Sequence, residues 1–140
     1  NKIEEPNKLE ISPQNVENKD CVFCNLKWFE TIYENDACVA VYDKYPVNPG
    51  HVLVIPKRHI ETCFDLKPYE VEKMYYAVMK AKEEIEKKFS PDGYNIGFNC
   101  GESGGQTINH CHMHIIPRYK GDVENPRGGI RGVIPNKKEY

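Results

Sequence analysis

The sequence predicts an α+β fold, with a mainly antiparallel sheet of about five strands, one long helix and one short helix. Three observations carry this. Short apolar runs rich in β-branched residues recur between Gly-, Pro- and Asn-marked turns. One long stretch, residues 67–89, has helical periodicity instead. That helix stands between two groups of strands rather than alternating with them, which argues against a parallel α/β sheet.

The elements follow in order. Residues 1–20 are polar and interrupted by Pro6 and Pro13, so they read as a mobile extension, with a single domain spanning 21–140. "CVFCNLKWFE" mixes apolar and polar residues like a short helix. "TIYEN" and "ACVAVYD" are strands joined at an Asn35-Asp36 turn, and "KYPVNPG" is a loop punctuated by Pro46, Pro49 and Gly50. "HVLVIP" is a buried strand. In the long helix, Val71, Met74, Val78, Ile85 and Phe89 fall on one face. Pro68 suits its first turn, and Lys87 and Lys88 suit the negative end of its dipole. "YNIGFNC" is a strand, "GESGGQT" a glycine loop and "INHCHMHII" a long final strand. The tail from Pro117 is irregular but carries too many apolar residues to stay free, so it should pack on something.

At 140 residues the chain can bury a real core. A formal net charge of -2 argues against a broad nucleic-acid-binding surface, while leaving a small anionic ligand open. No apolar run is long enough to span a membrane, and the first residues lack the apolar stretch of a signal peptide, so a cytoplasmic setting is expected. The six cysteines are then thiols or metal ligands rather than disulfides.

The chemistry concentrates in "NHCHMHIIPR". In a strand, alternate side chains share a face, so His110, His112 and His114 point one way and Cys111, Met113 and Ile115 the other, into the core. Successive histidines then lie about 6–7 Å apart. Two readings of the residues stand side by side: a metal site, or nucleophilic catalysis by one imidazole supported by its neighbours. The glycine loop directly upstream offers backbone N–H groups to an anion, which sets phosphate against imidazole. It is not a P-loop, since it lacks Gly-Lys-Ser/Thr and leads into a strand. "CVFC" spaces two sulfurs for one metal, with a redox pair as the rival reading.

"HCHMHII" resembles the signature of the histidine triad (HIT) family of nucleotide hydrolases and transferases. "PGHVLVIPKRH" resembles its second signature, and "GGQTINHCHMHIIPRYKGD" and "NPRGGIRGVIP" are similar to its bacterial-type hydrolases. The resemblance implies an HIT-like fold over about residues 21–140. It implies that His112 attacks an α-phosphate to form a nucleotidyl-histidine, that the His110 carbonyl fixes its tautomer, and that His114 bonds phosphate oxygens. Gln106, Thr107 and Gly105 match phosphate-contacting positions, and Asn99 a polar ligand contact. Asp43 matches a ribose ligand, although a turn aspartate is the commoner role. Val22, Phe23, Leu26, Val41 and Leu53 match base-pocket positions, and His51 supports the histidines. Cys21, Cys24, His59 and His110 match the ligands of a structural zinc, one per chain, with no catalytic cofactor expected. Cys38, Cys63 and Cys100 read as buried thiols.

The resemblance therefore implies hydrolysis of a dinucleoside polyphosphate, such as diadenosine tetraphosphate, by a homodimer with no nucleic-acid or membrane partner. A nucleoside phosphoramidase of the same family is the alternative. A metallohydrolase with zinc-activated water is another, although the histidine strand itself offers no carboxylate. A zinc-stabilised nucleotide-binding module would never become labelled by its nucleotide.

Overall fold

The computed structural model describes residues 20–140, so most of the expected extension over residues 1–20 lies outside the described residues. Five strands, β1 (Thr31–Glu34), β2 (Cys38–Tyr42), β3 (Val52–Pro56), β4 (Gly93–Phe98) and β5 (Met113–Arg118), form one sheet in the order β1-β2-β3-β5-β4. Every neighbouring pair is antiparallel. One long helix, α1 (Pro68–Lys88), packs on one face. No helix among the described residues is long and apolar enough to cross a membrane.

The register decides what each face carries. Val41 lies opposite Leu53, Leu53 opposite His114, and His114 opposite Gly97. Directly opposed residues of an antiparallel pair share a face, so these four form one row across the sheet. The next row, Ala40, Val54 and Met113, faces the other way. There it joins Cys38, Val52 and Ile115 against Met74, Ala77, Val78, Ala81 and Ile85 of α1. The helix therefore covers one face and leaves the histidine face to other segments.

α1 starts at Pro68, where a missing N–H costs nothing, and the Glu70 carboxylate accepts the Lys67 N–H at 2.9 Å. Lys87 and Lys88 lie in its last turn as expected. Its buried face differs from the apolar count. Val71 is 49% exposed, whereas Glu70 and Lys73 are buried. Ion pairs make that possible. Arg58 donates to both Glu70 oxygens, at 3.1 and 2.7 Å, and Lys73 lies 3.0 Å from Asp36.

Two further local differences have physical reasons. Residues 21–30 form successive turns, not a short helix: Cys24 N–H bonds the Cys21 carbonyl and Phe29 N–H the Leu26 carbonyl. A stretch this short cannot offset helix nucleation, and the turn brings both cysteine sulfurs to one side. The final strand starts at Met113 rather than Ile108. Cys111 N–H donates instead to the Ile60 carbonyl at 2.7 Å, which draws residues 110–112 off the ladder toward the 57–60 segment. The tail is anchored at its start, but against expectation its apolar Val123, Ile130, Val133 and Ile134 stay 45%, 58%, 77% and 58% exposed. Arg118 grips Asp122 through two N–H groups and Asn95 through a third, and Asn48 also donates to Asp122.

Arg58→Met tests the ion pair that joins the segment after β3 to α1. It leaves the Glu70 carboxylate buried with only the Lys67 N–H, and a loss of about 3 kcal/mol is expected in urea denaturation. A loss under about 0.5 kcal/mol would mean that the pair is as unimportant as an exposed one.

Candidate active site and metal centre

His110 is fully buried and engaged on three sides. Its Nε2–H donates to the Pro56 carbonyl at 2.7 Å, leaving a lone pair on Nδ1. Its own carbonyl accepts from His112 Nδ1 at 2.8 Å. That bond places the His112 proton on Nδ1 and leaves a lone pair on Nε2. The His112 ring is 8% exposed and packs edge-on against Phe23, at 4.8 Å between centroids, and against His114, at 5.1 Å. Alternation thus holds through residues 110–114 even before the ladder begins, and Cys111 is buried on the opposite side.

The His114 tautomer follows from a chain of bonds. Val47 N–H donates to His51 Nδ1 at 3.1 Å, so the His51 proton sits on Nε2. That Nε2 lies 2.9 Å from His114 Nδ1 and 3.5 Å from Asp43 Oδ2. His114 Nδ1 therefore accepts, and its proton is on Nε2, ready to donate. Burial, with His112 and His51 beside it, pushes His114 down to about 4 against the pull of Asp43. Burial also lowers His51, again opposed by Asp43. Asp43 closes a turn, its Oδ1 accepting the Tyr45 N–H at 2.8 Å, and its second oxygen faces His51.

The glycine loop sits beside this row. Gly101 and Gly105 have φ of 78° and 90°, a region that side chains disfavour, so the loop needs glycine at both. Gly105, Thr107 and Asn99 are exposed, and Gly105 lies close to the Asn99 side chain. Gln106 differs from the others. It is 8% exposed, and its amide donates to the Glu61 and Ile108 carbonyls, at 2.7 and 3.0 Å, while accepting the Gly101 N–H at 2.9 Å. These bonds engage both ends of the amide with backbone groups. Gln106 holds the loop's shape.

Four of the five expected base-pocket residues belong to one apolar cluster on the histidine face. Phe23, Val41 and Leu53 are buried within it and Leu26 packs at its margin. Val22 is the exception, 45% exposed and outside the cluster. Phe29 and Ile108 join instead, unmarked by any sequence pattern.

Cys21, Cys24, His59 and His110 bring four donor atoms within 4.8 Å of one another. The edges can be tested against zinc. Bond lengths of about 2.3 Å to sulfur and 2.0–2.1 Å to nitrogen in a tetrahedron require S···N edges near 3.5 Å and an N···N edge near 3.3 Å. Three of the four S···N edges measure 3.4, 3.2 and 3.5 Å, and His59 Nδ1 is 3.1 Å from His110 Nδ1. The donor set fits a closed Cys2His2 zinc, with the Pro56 carbonyl orienting His110 from behind. Asp43, His51 and His114 also cluster within 4.8 Å, supplying from β2's end the carboxylate that the strand lacks. There, however, the His51 Nε2–H and His114 Nδ1 are engaged with each other.

A five-stranded antiparallel sheet backed by one helix, with alternating histidines beside a glycine loop, is the arrangement of a histidine triad protein. Residues 29–121 match the HIT domain, and this chain belongs to the HIT family. Over 108 residues it is 43% identical to a HIT-like protein of Methanocaldococcus jannaschii, spanning 74% of this chain and 83% of that one. Over 93 residues it is 42% identical to the asymmetrical bis(5'-nucleosyl)-tetraphosphatase of Schizosaccharomyces pombe, spanning 66% of this chain and 51% of that one. The crystal structure of a Zn-bound histidine triad family protein from Mycobacterium smegmatis superposes with a TM-score of 0.67 at 32% identity, covering 76% and 80% of the two chains.

The contributors that the sequence does not mark are the carbonyls of Pro56 and Glu61 and the N–H of Val47. Backbone groups carry no residue signature.

The depressed His114 pKa has a signed consequence. Its ordinary value is 6.5 and its folded value about 4, so between these the unfolded chain binds the proton more readily. Its contribution is full above 6.5 and is lost as pH falls toward 4. Melting temperature should therefore drop between about pH 7.5 and about pH 5, and His114→Asn should drop less over the same interval. Parallel curves for parent and variant would contradict the assignment.

Proposed function

We propose that this chain is a nucleotide hydrolase that cleaves a dinucleoside polyphosphate at the α-phosphate through a covalent nucleotidyl-histidine. The tautomer of His112 carries the reading: Nδ1–H is held by the His110 carbonyl, and Nε2 keeps its lone pair. In this mechanism His112 Nε2 attacks the α-phosphorus, and the bond to the bridging oxygen breaks. The imidazolium charge that develops is stabilised by the His110 carbonyl. His114, neutral and protonated on Nε2, donates to a phosphate oxygen, together with backbone N–H groups of the glycine loop around Gly105 and the Thr107 hydroxyl. Water then hydrolyses the N–P bond and frees the nucleotide. Asp43 accepts from the ribose hydroxyls, exchanging its His51 contact for them, and Asn99 adds a polar contact. The cluster of Phe23, Leu26, Val41 and Leu53 receives the base.

Zinc at Cys21, Cys24, His59 and His110 is structural in this reading. It holds the N-terminal turn and the 57–60 segment to His110, and the chemistry needs no metal-bound water. Residues 21–140 act as one domain in this reading, with Asp122 at the start of the tail held by Arg118 and Asn48. The homodimer expected from the family resemblance joins edge to edge, and β4 supplies an outer edge of the sheet. The resemblance of the tail and glycine loop, and the tetraphosphatase relative, favour a polyphosphate over a phosphoramidate substrate.

His112→Ala should abolish turnover of diadenosine tetraphosphate by at least about a thousandfold while AMP still binds by calorimetry, because only this imidazole forms the covalent bond. Turnover within about tenfold of the parent would remove His112 from the chemistry. Running adenosine phosphoramidate beside the polyphosphate separates the two family activities, and faster phosphoramidate cleavage would displace the polyphosphate assignment.

Elemental analysis should find about one zinc per chain. Cys24→Ser should lower zinc content and melting temperature together. Zinc-free protein that stays folded yet loses all labelling of His112, with zinc restoring it at unchanged stability, would make the metal catalytic instead.

A further inference from the structure

Six cysteines divide into three pairs by environment. Cys21 and Cys24 belong to the metal centre. Cys38 and Cys111 are 0% and 2% exposed, and burial pushes both thiols up to about 12, so they are shielded from reagents in solution. Cys63 and Cys100 are different. Read from sequence they are buried thiols, yet both are only partly buried, and their sulfurs lie 3.4 Å apart across 37 residues of chain. A disulfide needs about 2.05 Å, so closing the pair requires a movement of roughly 1.4 Å.

Their positions give such a bond a consequence. Cys63 opens the short 3-10 turn Cys63–Asp65, two residues after Glu61. Cys100 immediately precedes Gly101, the first residue of the glycine loop. The same two segments are already joined by Gln106, which donates to the Glu61 carbonyl and accepts the Gly101 N–H. A Cys63–Cys100 bond would add a covalent stitch to that hydrogen-bonded seam, at the root of the loop.

We infer that Cys63 and Cys100 form a reversible dithiol–disulfide site that takes a low-molecular-weight disulfide such as oxidised glutathione, and that its closure rigidifies the glycine loop. One protein thiolate attacks a sulfur of oxidised glutathione, forming a mixed disulfide and releasing one glutathione thiolate. The second protein thiolate attacks the protein sulfur of that mixed disulfide, closing the bond and releasing a second glutathione. Two protons leave the protein thiols, and the two electrons lost by the pair reduce one oxidised glutathione to two thiols. With the two sulfurs 3.4 Å apart, either can make the first attack and leave the other placed to close the bond. Once one sulfur is in the mixed disulfide, its neighbour attacks that same sulfur.

The test uses zinc-loaded protein incubated with oxidised glutathione, alongside Cys63→Ser and Cys100→Ser. Non-reducing digestion and tandem mass spectrometry locate the bond, and amide hydrogen exchange reads the loop. The parent should yield a Cys63–Cys100 cross-link, with exchange across residues 101–107 slowed by at least about threefold. A phosphine reductant should reverse both changes, and neither should occur in either variant. Cys63 and Cys100 recovered as thiols or as separate glutathione adducts would overturn the disulfide. A cross-link with unchanged exchange at 101–107 would overturn its action on the loop. Both readouts are independent of which nucleotide the protein hydrolyses.

Discussion

The site depends on the immobility of His110. Its ring hydrogen-bonds Pro56 at one nitrogen and faces two sulfurs and His59 at the other, while its carbonyl sets the His112 tautomer. A shift of this residue by even half an ångström would loosen the His112 bond and misplace the four-donor centre together. The four-donor cluster and the His112 tautomer are therefore set from two ends of one residue. The buried ring leaves no water to substitute for any partner it loses.

A second dependence runs from the loop after β2. Val47 N–H settles the His51 proton, His51 settles the His114 proton, and Asp43 stands beside both. A backbone amide four residues before His51 thus determines which nitrogen of His114 can donate. Burial keeps these rings neutral, and neutrality preserves the order of donors and acceptors, since a second proton on either ring would set two N–H groups against each other.

Much of this was legible. Alternation in "HCHMHII" assigned the two faces, and it survives although the ladder starts only at Met113. Pro68 and the apolar spacing of Met74, Val78 and Ile85 located the helix and most of its face. Glu70 and Lys73 escaped because burial of a charge depends on a distant partner, Arg58 or Asp36, that local spacing does not reveal. The turns at 21–30 escaped because mixed polarity over ten residues suits turn and helix alike. The four-donor cluster followed from family resemblance, since two cysteines alone left its other ligands open. Gln106 was expected at the phosphate, and its engagement with backbone carbonyls is a tertiary fact with no local signature.

The strand register separates two kinds of inheritance. Ala40, Val54 and Met113 look toward the helix, whereas Val41, Leu53 and His114 look toward the histidines. The two layers meet only through the backbone between them. Divergence among descendants of this chain can therefore proceed on two clocks. The helix side is free to exchange one well-filled apolar set for another, and what must persist is volume. The opposite side has to preserve particular atoms at particular places, and drift there changes what the molecule recognises before it changes whether the molecule folds.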